Sequence, residues 1–556
     1  MGVDRAKLRW NGWGWAARKD EIAERAEVWT WLAAELGMPA LLATPGRPLE
    51  ELNLPDCRLS LQDRVELSGV VGANQVRDNV NERVFHATGR SYHDLLRLRA
   101  GDLSSAPDAV IYPRSTAEVL AVLACASRKR MAVVPYGGGT SMVGAVNADR
   151  GPFGTVIAVD LSEMDRVIDV NPVSCTATVE AGIYGPALEK ALQTKRLTLG
   201  HTPTSFEFST LGGWIAHRGA GQAMHRYGRA DDWLISAKLA TPRGLLTGGD
   251  FPATSAGPRL TDLVIGSEGV FGIVTEATLR VRPLPEVSEY RGYLFRDFES
   301  GAAAIRTAMQ AGCACAMLRL SDAEETRFQR AFARLNKPFG AIDHVTQRYL
   351  KLRGFAGNPC LLIAGFEGDS QTASLARQRF GEIAGRFGVL ALGRGAGEDW
   401  RKARFQGPYL RDPLLDRGVG VDIIETAASW SRLDTVYKAA RTALEEAIRE
   451  ALPRQDARGI VMCHISHAYT DGASLYFTFL FPRRLDGDIE QWRRVKAAAT
   501  EAILNNGGTL SHHHGVGTEH LPWMEREKGA LGLEVLQAIK SAVDPEGILN
   551  PGKLVP

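Results

Sequence analysis

Three consecutive glycines stand in the run Pro135, Tyr136, Gly137, Gly138, Gly139, Thr140 and Ser141. Glycine admits positive φ and close approach by a ligand, so successive amides in such a run can form an anion-binding concavity, with the Thr140 and Ser141 hydroxyls as further donors. A plain turn would use the same residues. The run lacks the Gly-Lys-Ser/Thr ending of a P-loop, and residues 142–154 carry no helical period, which excludes the strand–glycine–helix dinucleotide fingerprint. Two further backbone-exposing stretches follow, Thr202 to Gly221 and Gly266 to Gly272. Three such segments in the first half of the chain suit an extended ligand, a dinucleotide or a flavin, better than a lone phosphate. Later in the chain come titratable candidates. His512, His513 and His514 are adjacent; on a strand they would alternate faces, so at most two would share a site, with a metal cluster or a solvent-exposed patch as competing readings. Tyr476 lies in an alternating apolar run and reads as a half-buried strand residue, while Arg319 and Arg411 read as ion-pair partners at the surface.

The elements that must position these residues are legible in part. Ser115 and Glu118 form a capping box opening a helix from Val119 to Arg130, whose apolar Val119, Leu120, Leu123 and Cys125 lead into a strand from Ala132 to Pro135. The glycine run is thus expected at a strand end. Further strands are expected at 156–160, 177–180 and 273–280, with a helix at 187–193. Ile22, Ala26, Trp29, Ala33 and Leu36 give one apolar helix face ending at Gly37, and residues 40–75 read as irregular.

Composition bounds the class. The chain has 556 residues, 45% apolar and 23% charged, enough for two to four domains with an ample core. Lys and Arg total 66 against 64 Asp and Glu, so no global charge points to nucleic acid. Seven cysteines without regular spacing indicate a reducing compartment and are expected as buried thiols; Cys313 and Cys315 are too close for a metal Cys-x-x-Cys pair. No signal peptide, long apolar run or peroxisomal tripeptide is evident, so a cytoplasmic protein is expected. The Trp10, Trp13 and Trp15 cluster raises a peripheral membrane contact beside ordinary packing.

The succession Pro107 to Pro113, Pro135 to Ser141, Gly266-Ser-Glu-Gly-Val-Phe-Gly272 and Asp544-Pro-Glu-Gly-Ile-Leu-Asn-Pro-Gly-Lys553 resembles FAD flavoproteins of the vanillyl-alcohol-oxidase and p-cresol-methylhydroxylase type. Within them, Trp10-Asn-Gly-Trp13-Gly, Arg83 to Gly89, Gly200 to Trp214 and Ser511-His-His-His-Gly-Val-Gly517 are similar to the alkyldihydroxyacetonephosphate synthase family, over nearly the whole chain. The resemblance implies an α+β protein: a helical region over 1–100, a two-subdomain FAD-binding domain over 101–285, a cap domain with antiparallel sheet and flanking helices over 286–500, and a segment over 501–556 returning to the FAD domain. It also implies a homodimer. The implied reaction exchanges the acyl chain of acyl-dihydroxyacetone phosphate for a fatty alcohol, forming an ether without net redox.

Site roles follow from the same resemblance. The glycine loop takes the FAD diphosphate. Thr204, Ser205, Phe206, Glu207, Phe208, Ser209 and Thr210, then His217, Arg218, Gly219 and Ala220, then Gly266, Ser267, Glu268, Gly269, Val270, Phe271 and Gly272 supply the other cofactor contacts. Thr140 stands where covalently flavinylated relatives often carry His, so noncovalent FAD is expected. Tyr476 matches the catalytic tyrosine, His512 to His514 the histidine triplet, Arg319 an arginine needed for activity, and Arg411 the phosphate-binding arginine. A free tyrosine with pKa about 10 is only about 0.1% phenolate near pH 7, so full ionisation takes roughly 4 kcal/mol, for which nearby cations are the expected source. The runner-up is a D-2-hydroxy-acid dehydrogenase of the same fold. Its His-x-Gly-Asp-Gly-Asn-x-His metal motif is replaced here by His467-Ala-Tyr-Thr-Asp-Gly-Ala-Ser-Leu-Tyr476, and the later glutamate by His513, so no metal is expected.

Overall fold

A computed structural model describes residues 3–18, 22–335 and 341–556, apart from the side chains of 341–343, 346 and 347. The glycine run is launched by a small buried sheet. Helix Thr116–Lys129 starts where the Ser115 hydroxyl accepts from the Glu118 amide, and it buries Val119, Val122, Leu123, Cys125 and Ala126. The capping box is only half formed, because the Glu118 carboxylate takes the Arg114 amide at 2.8 Å and not that of Ser115. Arg130, in the left-handed region at φ 52°, turns the chain into strand Met131–Tyr136. That strand runs parallel to Thr155–Asp160, which in turn runs parallel to Ala109–Ile111; Val76–Arg77 completes the sheet antiparallel. Parallel strands buried on both faces explain the continuous apolar runs in the sequence.

A five-stranded antiparallel sheet follows, in the order Val167–Asn171, Thr176–Glu180, Ile273–Arg280, Leu234–Thr241, Gly244–Thr247. It shares one core with the first sheet. The third sheet is larger: seven antiparallel strands in the order Leu390–Gly393, Val287–Phe295, Cys360–Gly368, Met317–Ser321, Ile460–Ala468, Gly472–Pro482, Val419–Ser429. Strand alternation divides its work. Leu475, Phe477, Phe479 and Phe481 are buried in a core with helices Leu433–Ala451 and Asp488–Asn505, whereas Tyr476, Thr478 and Leu480 face a cavity. Register then sets neighbours: Tyr476 pairs with Glu425 on one side and His464 on the other, and His464 pairs with Ser321.

Two distant segments close on the first sheet. Arg5 donates to the Gly137 carbonyl, pairs with Asp160 and reaches the Tyr184 hydroxyl at 3.1 Å. Beyond it, the Trp13 amide and Arg9 both donate to Asp412 at 3.0 Å. From the other end of the chain, Asn550 Nδ2 donates to the Ala145 and Glu268 carbonyls at 2.9 and 2.6 Å, and Lys553 to the Asn147 carbonyl at 2.7 Å.

Several expectations are corrected. Residues 40–75 are not wholly irregular: Ser60 caps helix Leu61–Val71, which Gly72 ends at φ 98°. Leu61 and Val65 are exposed and only Leu67 and Val71 are buried, so the helix has little apolar period to read. In helix Ala26–Glu35 the buried face is Val28, Leu32 and Ala33, with Ala26 outside it; Gly37, at φ 65°, ends the turn as expected. Trp13 is buried, and both it and Trp15 meet the Phe208 ring edge-on at 5.7 and 5.6 Å, in keeping with ordinary packing of these two rings. All seven cysteines are free, but Cys57 is exposed and Cys175 half-buried.

Candidate active site

A cavity of about 1500 Å³ is lined by Gly137 to Ser141, in the loop that leaves strand Met131–Tyr136, and by Arg319, Arg411, His464, Tyr476, His513 and His514 on the seven-stranded sheet and the segments beside it. Its cradle is made by tight backbone packing. A Cβ on Gly138 would stand 1.8 Å from the Phe208 carbonyl oxygen, and one on Gly137 2.3 Å from Thr210 Oγ1. The glycines are therefore needed for the loop to seat against residues 208–210, before any ligand arrives. Thr204, Ser205, Thr210, His217, Gly219 and Ala220 line the same cavity. Buried polar atoms without protein partners belong to residues that line it: Thr210 Oγ1, His217 Nδ1 and both ring nitrogens of His201. Unmet donors and acceptors around an amide-lined cradle fit a large polar cofactor such as FAD.

Other expected cofactor contacts are already engaged within the protein. Tyr136 donates to the Phe85 carbonyl at 3.1 Å, and Pro135 packs beneath Gly269. Phe206 stacks on Trp214 and Phe405, Glu207 accepts from Tyr409 at 3.4 Å, and the Ser209 hydroxyl joins Trp214 Nε1 to the Ser205 carbonyl. Val270 and Phe271 are core residues, and Phe208 underlies the tryptophans. Arg218 faces Asp231 at 3.4 Å. The Glu268 carboxyl, pushed up to about 7 by burial, accepts the amides of Val516 and Gly517 at 2.5 and 2.7 Å. These side chains act as struts, and none of residues 206–209, 218 or 266–272 lines the cavity.

The sheet side is a row of titratable groups. Tyr476 is stacked on His464 at 4.9 Å, and no described group hydrogen bonds its hydroxyl. Burial, seconded by Glu425, raises the pKa of Tyr476 above its usual value, although Arg411 and Arg319 pull the other way. The expectation that neighbouring cations would ionise it is thus corrected: the resting group is a phenol. His464, whose pKa burial lowers, has Nδ1 3.0 Å from Arg319 Nη2 and 3.2 Å from Glu325 Oε1. Burial pushes the Glu325 carboxyl up, but Arg319 and His464 together hold it down to about 2. Arg319 is no free surface residue; it is fastened to Glu325 at 2.7 Å in the cavity wall. Arg411 is also buried: Nη1 donates to the Arg90 carbonyl at 2.6 Å, while Nη2 is buried without a partner. A free guanidinium edge in a cavity suits a phosphate oxygen.

The histidine triplet is not on a strand. The Glu425 carboxylate accepts the amides of His512, His513 and His514 at 2.8, 3.1 and 3.0 Å, and the Ser511 hydroxyl at 2.6 Å, so the chain turns around one buried anion. His513 and His514 line the cavity, and His512 is buried behind them, 2.5 Å from the Tyr469 hydroxyl. Burial holds His514 down to about 3 and also lowers His512 and His467, leaving neutral rings. One nitrogen each from His467, His512 and His513 fall within 4.8 Å of one another, a spacing open to a metal ion. His467 and His512, however, stack at 5.0 Å and 19°, so their in-plane lone pairs run alongside each other, and His512 Nδ1 already meets His513 Nδ1 at 3.0 Å. The sequence does not single out His464, Glu425 or Glu325; for the first two the available signal is a His or Glu inside an otherwise apolar strand, whereas Glu325 lies in the first turn of helix Ala323–Arg334 and gives none.

Comparison with known proteins sets the class first. Residues 107–248 match the FAD binding domain model and residues 284–554 the model for FAD linked oxidases, C-terminal domain, so this is an FAD-linked flavoprotein of the oxidase fold. An alkyldihydroxyacetonephosphate synthase from Dictyostelium discoideum is 33% identical over 99% of this chain and 94% of its own, and one from Trypanosoma brucei brucei 32% identical over 99% and 92%. A solved alkyldihydroxyacetonephosphate synthase superposes with a TM-score of 0.85 at 30% identity, over 99% of this chain and all of that one. The chain belongs to the alkyldihydroxyacetonephosphate synthase family.

Proposed function

We propose that the protein exchanges the acyl chain of acyl-dihydroxyacetone phosphate for a long-chain alcohol, forming the ether bond of ether lipids. The observation that carries this reading is one cavity holding three chemistries: the glycine cradle, the partnerless Arg411 Nη2 beside Tyr476, and an apolar branch lined by Val28, Trp29, Trp31, Phe328, Phe332 and Met462. The branch suits a hydrocarbon chain, and its dryness strengthens the polar interactions beside it. FAD, when bound, supplies an electrophilic partner for C1 without net redox. Arg411 holds the substrate phosphate, and Tyr476 moves the proton at C1. His513 and His514 face that proton from the adjoining wall, and Arg319 steadies His464 under the Tyr476 ring. FAD is held noncovalently, Thr140 standing where covalently flavinylated relatives often carry His; acid precipitation is expected to release all of it.

The same reading divides the chain near residues 100, 285 and 500. No helix among the described residues is long and apolar enough to cross a membrane. A peripheral lipid contact has its support in Val345, Tyr349 and Leu352, exposed along helix Ala341–Leu352. The runner-up dehydrogenase reading draws on the His467–His512–His513 grouping and on likeness to proteins more distant than the synthases. Both readings meet one test: anaerobic incubation of the flavin-loaded protein with acyl-dihydroxyacetone phosphate and a fatty alcohol, with ether product scored by mass spectrometry. Many turnovers of alkyl-dihydroxyacetone phosphate are expected; no ether, with flavin bleaching by 2-hydroxy acids, would overturn the synthase reading in favour of the dehydrogenase.

A further inference from the structure

We propose that Glu425 is a positioning residue for the reaction: its buried carboxylate folds His512 to His514 into the turn that presents His513 and His514 to the cavity beside Tyr476. The inference rests on the reading of Tyr476 and the histidines as the reacting wall. Its geometry is specific. One carboxylate takes three consecutive backbone amides and a hydroxyl, from residues 86 to 89 positions away, while lying directly opposite Tyr476 in the sheet register. Three amides converging on one centre form an anion nest, and a buried anion with that many donors is fixed in place. The Ser511 hydroxyl closes the turn further by accepting from the His514 and Gly515 amides at 3.1 and 3.0 Å. The result is that His514 meets the Tyr476 ring edge-on at 5.6 Å and His513 lies at 6.3 Å.

Only an acceptor on both oxygens satisfies this nest. In Glu425→Gln, with the amide oxygen in the place of Oε1, the NH2 would face the His512 N–H, leaving that donor unmet at about 1–3 kcal/mol, or roughly 10- to 100-fold. The groups facing Tyr476 are Glu425, Asp422, Arg411, Arg319, His464, His513 and His514. Removing the Glu425 charge from that set favours the phenolate, so the pH at which turnover rises should move down even as turnover falls. A residue that merely supports the fold would not produce that opposed pair.

The test compares flavin-loaded wild type, Glu425→Gln and Ser511→Ala by diethyl pyrocarbonate labelling mapped by mass spectrometry, together with ether-forming kinetics against pH. For Glu425→Gln we expect retained FAD, His512 labelled at least about tenfold faster, kcat lowered by about 100-fold with KM within about threefold, and the rising limb at lower pH. Ser511→Ala should show the same labelling and kcat changes at smaller amplitude, with the rising limb in place because Glu425 keeps its charge. Unchanged His512 labelling and kcat in Glu425→Gln, or in Ser511→Ala should the former fail to fold, overturns the proposal. Wild type that forms no ether while Glu425→Gln exposes His512 would instead sink the parent reading and leave the turn standing.

Discussion

The two walls of the cavity are built on opposite principles. The glycine cradle is almost wholly backbone: its tolerance is set by contacts such as the 1.8 Å that a Gly138 Cβ would leave to the Phe208 oxygen. The sheet wall is almost wholly side chain, a row running Glu425, Tyr476, His464 and then Arg319 with Glu325, each held by its neighbour's charge or ring. A backbone site fails by sterics, all at once, whereas a side-chain site fails by chemistry, one property at a time. Substitutions should therefore separate cofactor loss from loss of turnover.

The largest effect is expected at Tyr476. Tyr476→Phe should keep a normal flavin spectrum and lower kcat by about 1000-fold or more, the upper range for removing a positioned acid or base; turnover near wild type would break the assignment. Gly138→Val should do the reverse, because its Cβ meets protein backbone: colourless protein, with stability lost before activity can be scored, and a yellow, active variant would refute the packing account. Arg411→Leu should raise KM for the phosphorylated substrate by about 10- to 100-fold through loss of a charge-assisted contact, with the flavin unaffected. The pH dependence sharpens the contrast. Since burial raises the Tyr476 pKa, the phenolate is scarce near neutrality, and kcat should climb about tenfold per pH unit toward the alkaline side, while FAD affinity stays flat. At the small end, Ser115→Ala should cost about 1 kcal/mol of stability at the helix feeding the cradle and leave kinetics untouched.

The cradle was also the more legible wall. Strand Ile273–Arg280 and the loop after Met131–Tyr136 follow from local signals, a capping serine, an apolar run and glycines, all within a few residues. The sheet wall depends on register between strands far apart in sequence. Nothing near His512 announces that Glu425, 87 positions earlier, will fold the triplet into a turn, so alternation on a strand was the natural but mistaken geometry. Tyr476 lies on the kind of element its alternating run predicts, but its ionisation does not follow from nearby cations, because burial depends on the whole fold. His464 was hidden inside Ile460–Ala468, which reads as plain core.

Arg5 and Asn550 fasten the same loop region, one at the Gly137 carbonyl and the other at that of Ala145. A nascent chain therefore lacks a finished cradle until residue 550 has left the ribosome. A fragment ending at residue 285 would leave the Ala145 and Glu268 carbonyls without their Asn550 donor, a cup without its rim.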